Sequence, residues 1–315
     1  MALDDTLAGI LNLTDANNDP ISVTDLLEAA PLLAVLPAKK SSYGTTHQYN
    51  KEVTAPGLGF RAINTGITNA AGAEELVSVT LKFLDASVRR DIAVAKADPR
   101  GVDAYMAGQA GKSLRTAFAN VEKQVIDGTG SSATGFNGLA DNVFVDDVGD
   151  GMVIDAGGAA GSRNVYLIRA GLDDVCLLYN DENVQMSEMY RTRAQDGSAD
   201  PYTALAVDID AYLGLQVGSQ YSVGRIYNLD ATSGHKLTDL LVSQMMALAP
   251  VGRPFTHIVC DRTTRQELQA SRVAVGQTAY AAGAFAPIPT ESNGLPLIVT
   301  DQIGASNTVA TTTTT

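Results

Sequence analysis

Asp208 and Asp210 come nearest to chemistry in this chain, since two neighbouring carboxylates can hold a divalent cation. They alternate with Val207 and Ile209, which places both on the solvated face of a strand, and a cation site needs further oxygen ligands at short distance. The run Gly108-Gln109-Ala110-Gly111-Lys112-Ser113 ends as a phosphate-binding loop does. Its first glycine would have to stand where Met106 is, and it lies inside a helical pattern instead of following a strand. His47, His235 and His257 show no ligand spacing and no partner for nucleophilic catalysis. Cys176 and Cys260 both sit in apolar, strand-like runs, so they read as buried thiols and not as a disulfide framework. The expectation is a protein with no catalytic residue, no cofactor and no metal. A metal-dependent enzyme built on Asp208 and Asp210 is the alternative from another class.

Composition narrows the partners. The chain has 315 residues, 45% of them hydrophobic, enough for a substantial core in one elongated multi-domain subunit or two ordinary domains. A net charge of −13 argues against tight direct binding of nucleic acid, which depends on Lys and Arg neutralising phosphates. No run approaches the ~20 apolar residues of a membrane span, and Asp4 and Asp5 stand where a secretion signal would need positive charge. A cytosol-made protein without a membrane partner is expected.

The elements that would position any functional residue are a long hairpin and a long helix. In the second arm Val77, Val79, Leu81 and Phe83 alternate with Ser78, Thr80, Lys82 and Leu84, the period of a strand. The first arm, Thr46 to Ile63, carries Tyr49, Val53, Leu58, Phe60 and Ile63, with Pro56, Gly57 and Gly59 marking a bend or bulge. Between them Asn64 to Glu74 offers little apolar surface, so its ordering entropy is hard to recover without a neighbouring chain. An arm of about twelve residues reaches roughly 40 Å, whereas a globule of this length is about 50 Å across. A helix then follows, with Asp98 as cap, Pro99 in its first position and Gly128 as stop. Its apolar stripe is Val102, Tyr105, Met106, Leu114, Phe118, Val121 and Val125, with Arg100, Asp103, Lys112, Arg115, Glu122 and Lys123 mostly off it. Upstream, two short apolar helical patterns run from Leu3 to Leu13 and from Val23 to Leu36, the latter broken by Pro31 and Pro37. A further helix begins near Thr238, residues 141–161 read as an Asp- and Gly-rich surface loop, and Thr311 to Thr315 as a fraying tail or an edge strand, composition favouring the tail.

The order of these parts resembles the tailed-bacteriophage major capsid proteins of the Hong Kong 97 type. The resemblance rests on Tyr49-Asn50-Lys51-Glu52-Val53-Thr54-Ala55-Pro56-Gly57 with Phe60-Arg61, the polar loop, the second arm and the long helix. Further along, it rests on Gly135-Phe136-Asn137-Gly138-Leu139, Arg262-Thr263-Thr264-Arg265-Gln266-Glu267-Leu268 and Leu295-Pro296-Leu297-Ile298-Val299-Thr300-Asp301. One departure is that the strands Asn164 to Arg169 and Gly214 to Val217 precede the helix near Thr238, which implies a rearranged order or an insertion in the axial domain.

The resemblance implies an α+β fold with an N-terminal arm (1–45), an extended β-hairpin (46–95) and a long spine helix in a peripheral domain (96–130). A mainly axial α/β domain (131–294) and a late strand with C-terminal tail (295–315) complete it. The implied function is structural: self-assembly into hexamers and pentamers of an icosahedral head around double-stranded DNA, held without sequence-specific contacts. Implied partners are other copies of the chain, a portal, a scaffold and a decoration protein. Lys51, Phe60, Arg61, Asn64, Gly66, Glu74, Glu75, Lys82, Arg89 and Arg115 are the expected assembly contacts on hairpin and helix. Glycines 57, 59, 66 and 72 are the expected hinges. Some members join a hairpin lysine to a neighbour's asparagine. Lys51, Lys82, Asn120 and Asn137 are in suitable segments, but nothing in the sequence supplies the carboxylate and dry site such chemistry needs, so non-covalent assembly is expected. An encapsulin-like compartment shares the fold and is the nearer alternative.

Overall fold

A computed structural model describes residues 28–54, 57, 59–66, 72–128, 134–140, 151–158, 163–181, 184–195, 200–232, 234–275 and 287–303. The patterns from Leu3 to Leu13 and Thr311 to Thr315 lie outside them, as do much of 141–161 and Leu58.

A short 3-10 turn, Pro31–Ala34, leads into β1 (Ala38–Lys40). The hairpin strands are β2 (Thr46–Thr54) and β3 (Ala73–Thr80), followed directly by β4 (Lys82–Asp85) and β5 (Val88–Asp91). A short helix, Ile92–Ala97, precedes the long helix Val102–Asp127. Then come β6 (Val153–Asp155), β7 (Arg163–Ile168), β8 (Val175–Tyr179), β9 (Gln185–Met186), β10 (Tyr190–Gln195), β11 (Pro201–Val207), β12 (Ile209–Val217) and β13 (Val223–Leu229). Helix Asp239–Leu248, β14 (His257–Cys260), helix Arg262–Val275, β15 (Glu291–Ser292) and β16 (Leu295–Val299) complete the order.

These strands form four sheets. The order β15-β16-β14-β7-β13-β6 makes a six-stranded sheet of mixed direction, and β1-β8-β12-β4, with β9 also on β12, makes a five-stranded one. A three-stranded antiparallel sheet runs β10-β11-β5, and β2 and β3 form a two-stranded antiparallel ribbon. Alternation along β7 buries both faces of the six-stranded sheet. Val165 and Leu167 join a core with Val242, Met245 and Leu268 of the two later helices, while Tyr166 and Ile168 join the larger core around the long helix. That larger core takes in Leu32, Leu33, Val88, Leu205, Leu213 and the helix side chains Met106, Leu114, Phe118, Val121 and Val125.

Several expectations change in detail. The second arm is two strands: β3 pairs with β2, and after buried Leu81 the chain crosses to β12 as β4. The first arm is strand only to Thr54, so Phe60 and Ile63 lie beyond it. The long helix starts at Val102 because Asp98 closes its own turn. The Asp98 carboxylate accepts from Arg100 N at 2.9 Å and pairs with its guanidinium, and Gly101 with φ 94 turns the chain into the helix. Glu122, expected off the apolar stripe, is fully buried, because the 3-10 turn and Thr300 cover a second side of the helix. Asp208 and Asp210 are partly exposed, as the alternation predicts: Asp208 joins β11 to β12 and accepts from Tyr190 Oη at 2.6 Å, and Asp210, between buried Ile209 and Ala211, stands opposite exposed Asp85 and Gln185. The strands Asn164 to Arg169 and Gly214 to Val217 belong to different sheets, the first beside β14 and the second beside β8. Thr238 caps helix Asp239–Leu248 as read, its hydroxyl accepting from Leu241 N at 3.3 Å. Cys176 and Cys260 are buried free thiols, and burial pushes both up to about 12.

Candidate assembly surface

The hairpin is clamped at one end. His47 is buried, its Nε2 2.9 Å from Gln216 Oε1 on β12, and its Nδ1 accepts from Ser42 N at 3.2 Å. Nε2 is then the protonated nitrogen and the donor to Gln216, and burial lowers the His47 pKa, keeping the ring neutral. Tyr49 Oη donates to Val217 O at 2.9 Å, and burial raises its pKa to about 12. The two rings stack with centroids 6.0 Å apart. Leu81 N donates to Thr45 O at 2.8 Å, closing the base on the return strand.

Beyond Asn50 the ribbon leaves these anchors. Lys51 stands opposite Glu75 in the register and Glu52 opposite Glu74, with an irregularity between Glu52 and Thr54. The face carrying Glu74, Leu76, Ser78 and Thr80 is exposed. At the tip Ala62 O accepts from Thr65 N and Oγ1 at 3.2 and 2.8 Å, and Arg61 Nη1 donates to Thr65 O at 3.0 Å. Asn64 supplies the left-handed turn with φ 64, while Gly59 and Gly66, expected as hinges, do not use positive φ. Phe60 is 108% exposed and Ile63 91%. Burying such a side chain is worth about 1.5–3 kcal/mol, so the subunit alone forgoes that twice at one tip.

The structure thus gathers Lys51, Phe60, Arg61, Asn64, Gly66, Glu74 and Glu75 on one ribbon. Lys82 is at its base opposite Leu213. Arg89 lies apart on β5 opposite Ala206, and Arg115 is on the exposed side of the long helix. Arg115 lines a cleft of about 390 Å³ with Glu28, Asn120, Arg262, Asp301 and Gln302. The His47–Gln216 clamp was not among the expected residues, and a lone histidine in a strand carries no sequence signal of its partner.

A family model described as major capsid protein GP7 matches residues 15–308. The chain belongs to this family of major capsid proteins. Its fold is that of the solved capsid of bacteriophage Epsilon15, with a TM-score of 0.65 at 14% identity over 87% of each chain. The JBD30 bacteriophage capsid is also similar, with a TM-score of 0.49 and 14% identity over 92% of this chain and 94% of that one. So is the SrpI encapsulin of Synechococcus elongatus PCC 7942, with a TM-score of 0.44 and 11% identity over 73% and 96%. No curated protein matches the sequence. This GP7-family protein therefore has the Hong Kong 97-type fold expected from its motif order, and it is a shell protein whose relatives are structural capsid proteins and not enzymes.

Proposed function

We propose that this capsid protein assembles with copies of itself into hexamers and pentamers that close an icosahedral head around double-stranded DNA. The hairpin of one subunit lies across the next, the long helices pack as ribs, and the six-stranded region turns toward the ring axes. Residues 1–45 serve as arm, 46–95 as hairpin, 96–130 as rib, 131–294 as axial domain and 295–315 as closing strand and tail. The supporting observation is the pairing of a clamped hairpin base with a tip whose Phe60 and Ile63 are almost wholly exposed. Modest contacts suffice because each subunit repeats them with several neighbours. The net charge of −13 suits an inner wall that repels packaged DNA at short range. The subunit is made in the host cytoplasm and meets portal, scaffold and decoration proteins there or on the finished shell. Contacts between subunits are non-covalent, so boiled detergent gels run as monomer.

Negative-stain microscopy with size-exclusion chromatography tests this, on the intact protein and after deletion of 64–74. Closed particles that fall to small oligomers on deletion are expected. A folded monomer that forms no particles, with or without the loop, defeats autonomous assembly.

A further inference from the structure

The exposed face of the hairpin and the outer strand of the small sheet carry opposite charge. In the hairpin register Lys51 faces Glu75, an ordinary attractive row, but the next row sets Glu52 against Glu74. Like charges at directly opposed positions disfavour an antiparallel pair. The Glu74 carboxylate accepts from Asn50 Nδ2 at 3.3 Å, a neutral donor. Two residues along the same face Leu76 is 61% exposed. This part of the ribbon presents two acidic positions beside an apolar side chain.

On β10, Arg191 and Arg193 are two residues apart, on one face, and both are exposed. Arg191 stands opposite Leu205, and Leu205 opposite Arg90, so a third arginine shares that face. Arg90 donates to Gln109 Oε1 of the long helix at 3.3 and 3.4 Å. Arg191 and Arg193 have no ion pair or side-chain hydrogen bond among the described residues. β10 is also the last strand of its sheet, with no described strand on its outer side. Such a concentration of arginine is notable on a chain of net charge −13, whose own copies are the acidic surfaces nearest to it in a dense array.

We propose that the Arg191–Arg193 face of one subunit receives Glu52 and Glu74 of the hairpin of a second copy. The inference rests on the assembly reading above and names the surface that the hairpin covers. Side chains two apart on a strand are about 7 Å apart, and opposed Cβ atoms of an antiparallel pair about 5 Å. Two long arginines therefore reach both acidic positions. Guanidinium forks bind carboxylates through paired hydrogen bonds, and the arginine stems offer aliphatic surface to Leu76. Docking relieves the Glu52–Glu74 row and gives both arginines an anionic partner at once.

Charge exchange in the full chain tests it, with shell yield measured by sedimentation and microscopy. Arg191→Glu with Arg193→Glu, and separately Glu52→Arg with Glu74→Arg, are each expected to cut the yield roughly tenfold or more, since the loss repeats at every subunit. Circular dichroism verifies that each double variant is folded. The protein carrying all four changes is expected to regain most of the wild-type yield, which a merely misfolded surface would not do. Wild-type yield from the arginine-reversed protein, beside a loop deletion that still abolishes particles, overturns this inference and leaves the assembly reading standing. If those normal shells protect less DNA, the arginines belong to nucleic acid and the inference is equally overturned. Failure of the fourfold exchange to restore assembly also sinks it. Absence of particles from wild-type protein removes the assembly reading itself.

Discussion

The Glu122 carboxylate accepts from Leu32 N at 2.8 Å and from the Thr300 hydroxyl, so one side chain of the long helix holds both the 3-10 turn and the end of β16. Burial, aided by the nearby Asp301 charge, outweighs these donors and raises its pKa to about 7. An unfolded glutamate titrates near 4.5. Between those values the native state keeps a proton that the unfolded chain releases, so stability is greatest at the acid end and falls as pH rises through the window. The whole effect is at most about 3 kcal/mol. Glu122→Gln, whose amide can still serve both partners, should flatten the trend of melting temperature between pH 5 and pH 8. An unchanged slope would assign it elsewhere. His47 acts in the opposite sense. Its lowered pKa makes its contribution complete above the unfolded value of 6.5 and lost as pH falls through the folded one. Acid should therefore loosen the hairpin clamp, seen as smaller amide protection factors at Tyr49 and Leu81 once the slower intrinsic exchange at low pH is divided out. Neither role was legible in the sequence, where Glu122 looks like one more polar residue between apolar ones and His47 has a partner on β12.

The long helix, 26 residues or about 39 Å, was plain from its periodicity, and its end is where the element becomes informative. Leu139 N and Ala140 N donate to the carbonyls of Val125 and Ile126 at 2.7 and 2.9 Å, satisfying acceptors that a helix terminus leaves open. Gln124 Nε2 donates to Phe136 O at 2.6 Å. This return leaves no room for side chains: a Cβ on Gly138 would stand 2.7 Å from Gln124 O, and one on Gly128 2.2 Å from the same atom. Gly138→Ala should cost about 3 kcal/mol by displacing backbone, read as a lowered melting temperature with helix content retained. A melting temperature equal to wild type would show that the return segment is not held this closely. The glycines and the stop at Gly128 were visible in the sequence. The start lies later than the Asp-Pro pair suggests because that pair is also a turn signal, and the alternation from Val77 to Leu84 runs unbroken across Leu81, where only the hydrogen-bonding partner changes.

For the whole subunit, the order of parts was readable and the sheet membership was not. Local pattern marks β4, β7 and β12 as strands, but the pairing of β4 with β12 and of β7 with both β13 and β14 is decided by side chains far apart in sequence. The reach of the hairpin arms and the apolar-poor loop from Asn64 to Glu74 likewise pointed to assembly, while the strand that ends the small sheet could not be read from local pattern. Arg61 is exposed at the tip, so trypsin should cut there early in free subunits and far more slowly once particles form. Equal cleavage in both states would mean the tip remains uncovered in the shell. The hand-over at Leu81 has a mechanical consequence. One residue separates the protruding β3 from β4, that residue is 3% exposed, and β4 is bonded into the five-stranded sheet. The arm is thus a lever with its fulcrum inside the subunit and not a tether on a swivel. A pull on its tip bears directly on β12, and differences in curvature between neighbouring rings must be taken up by flexing of the ribbon beyond Tyr49.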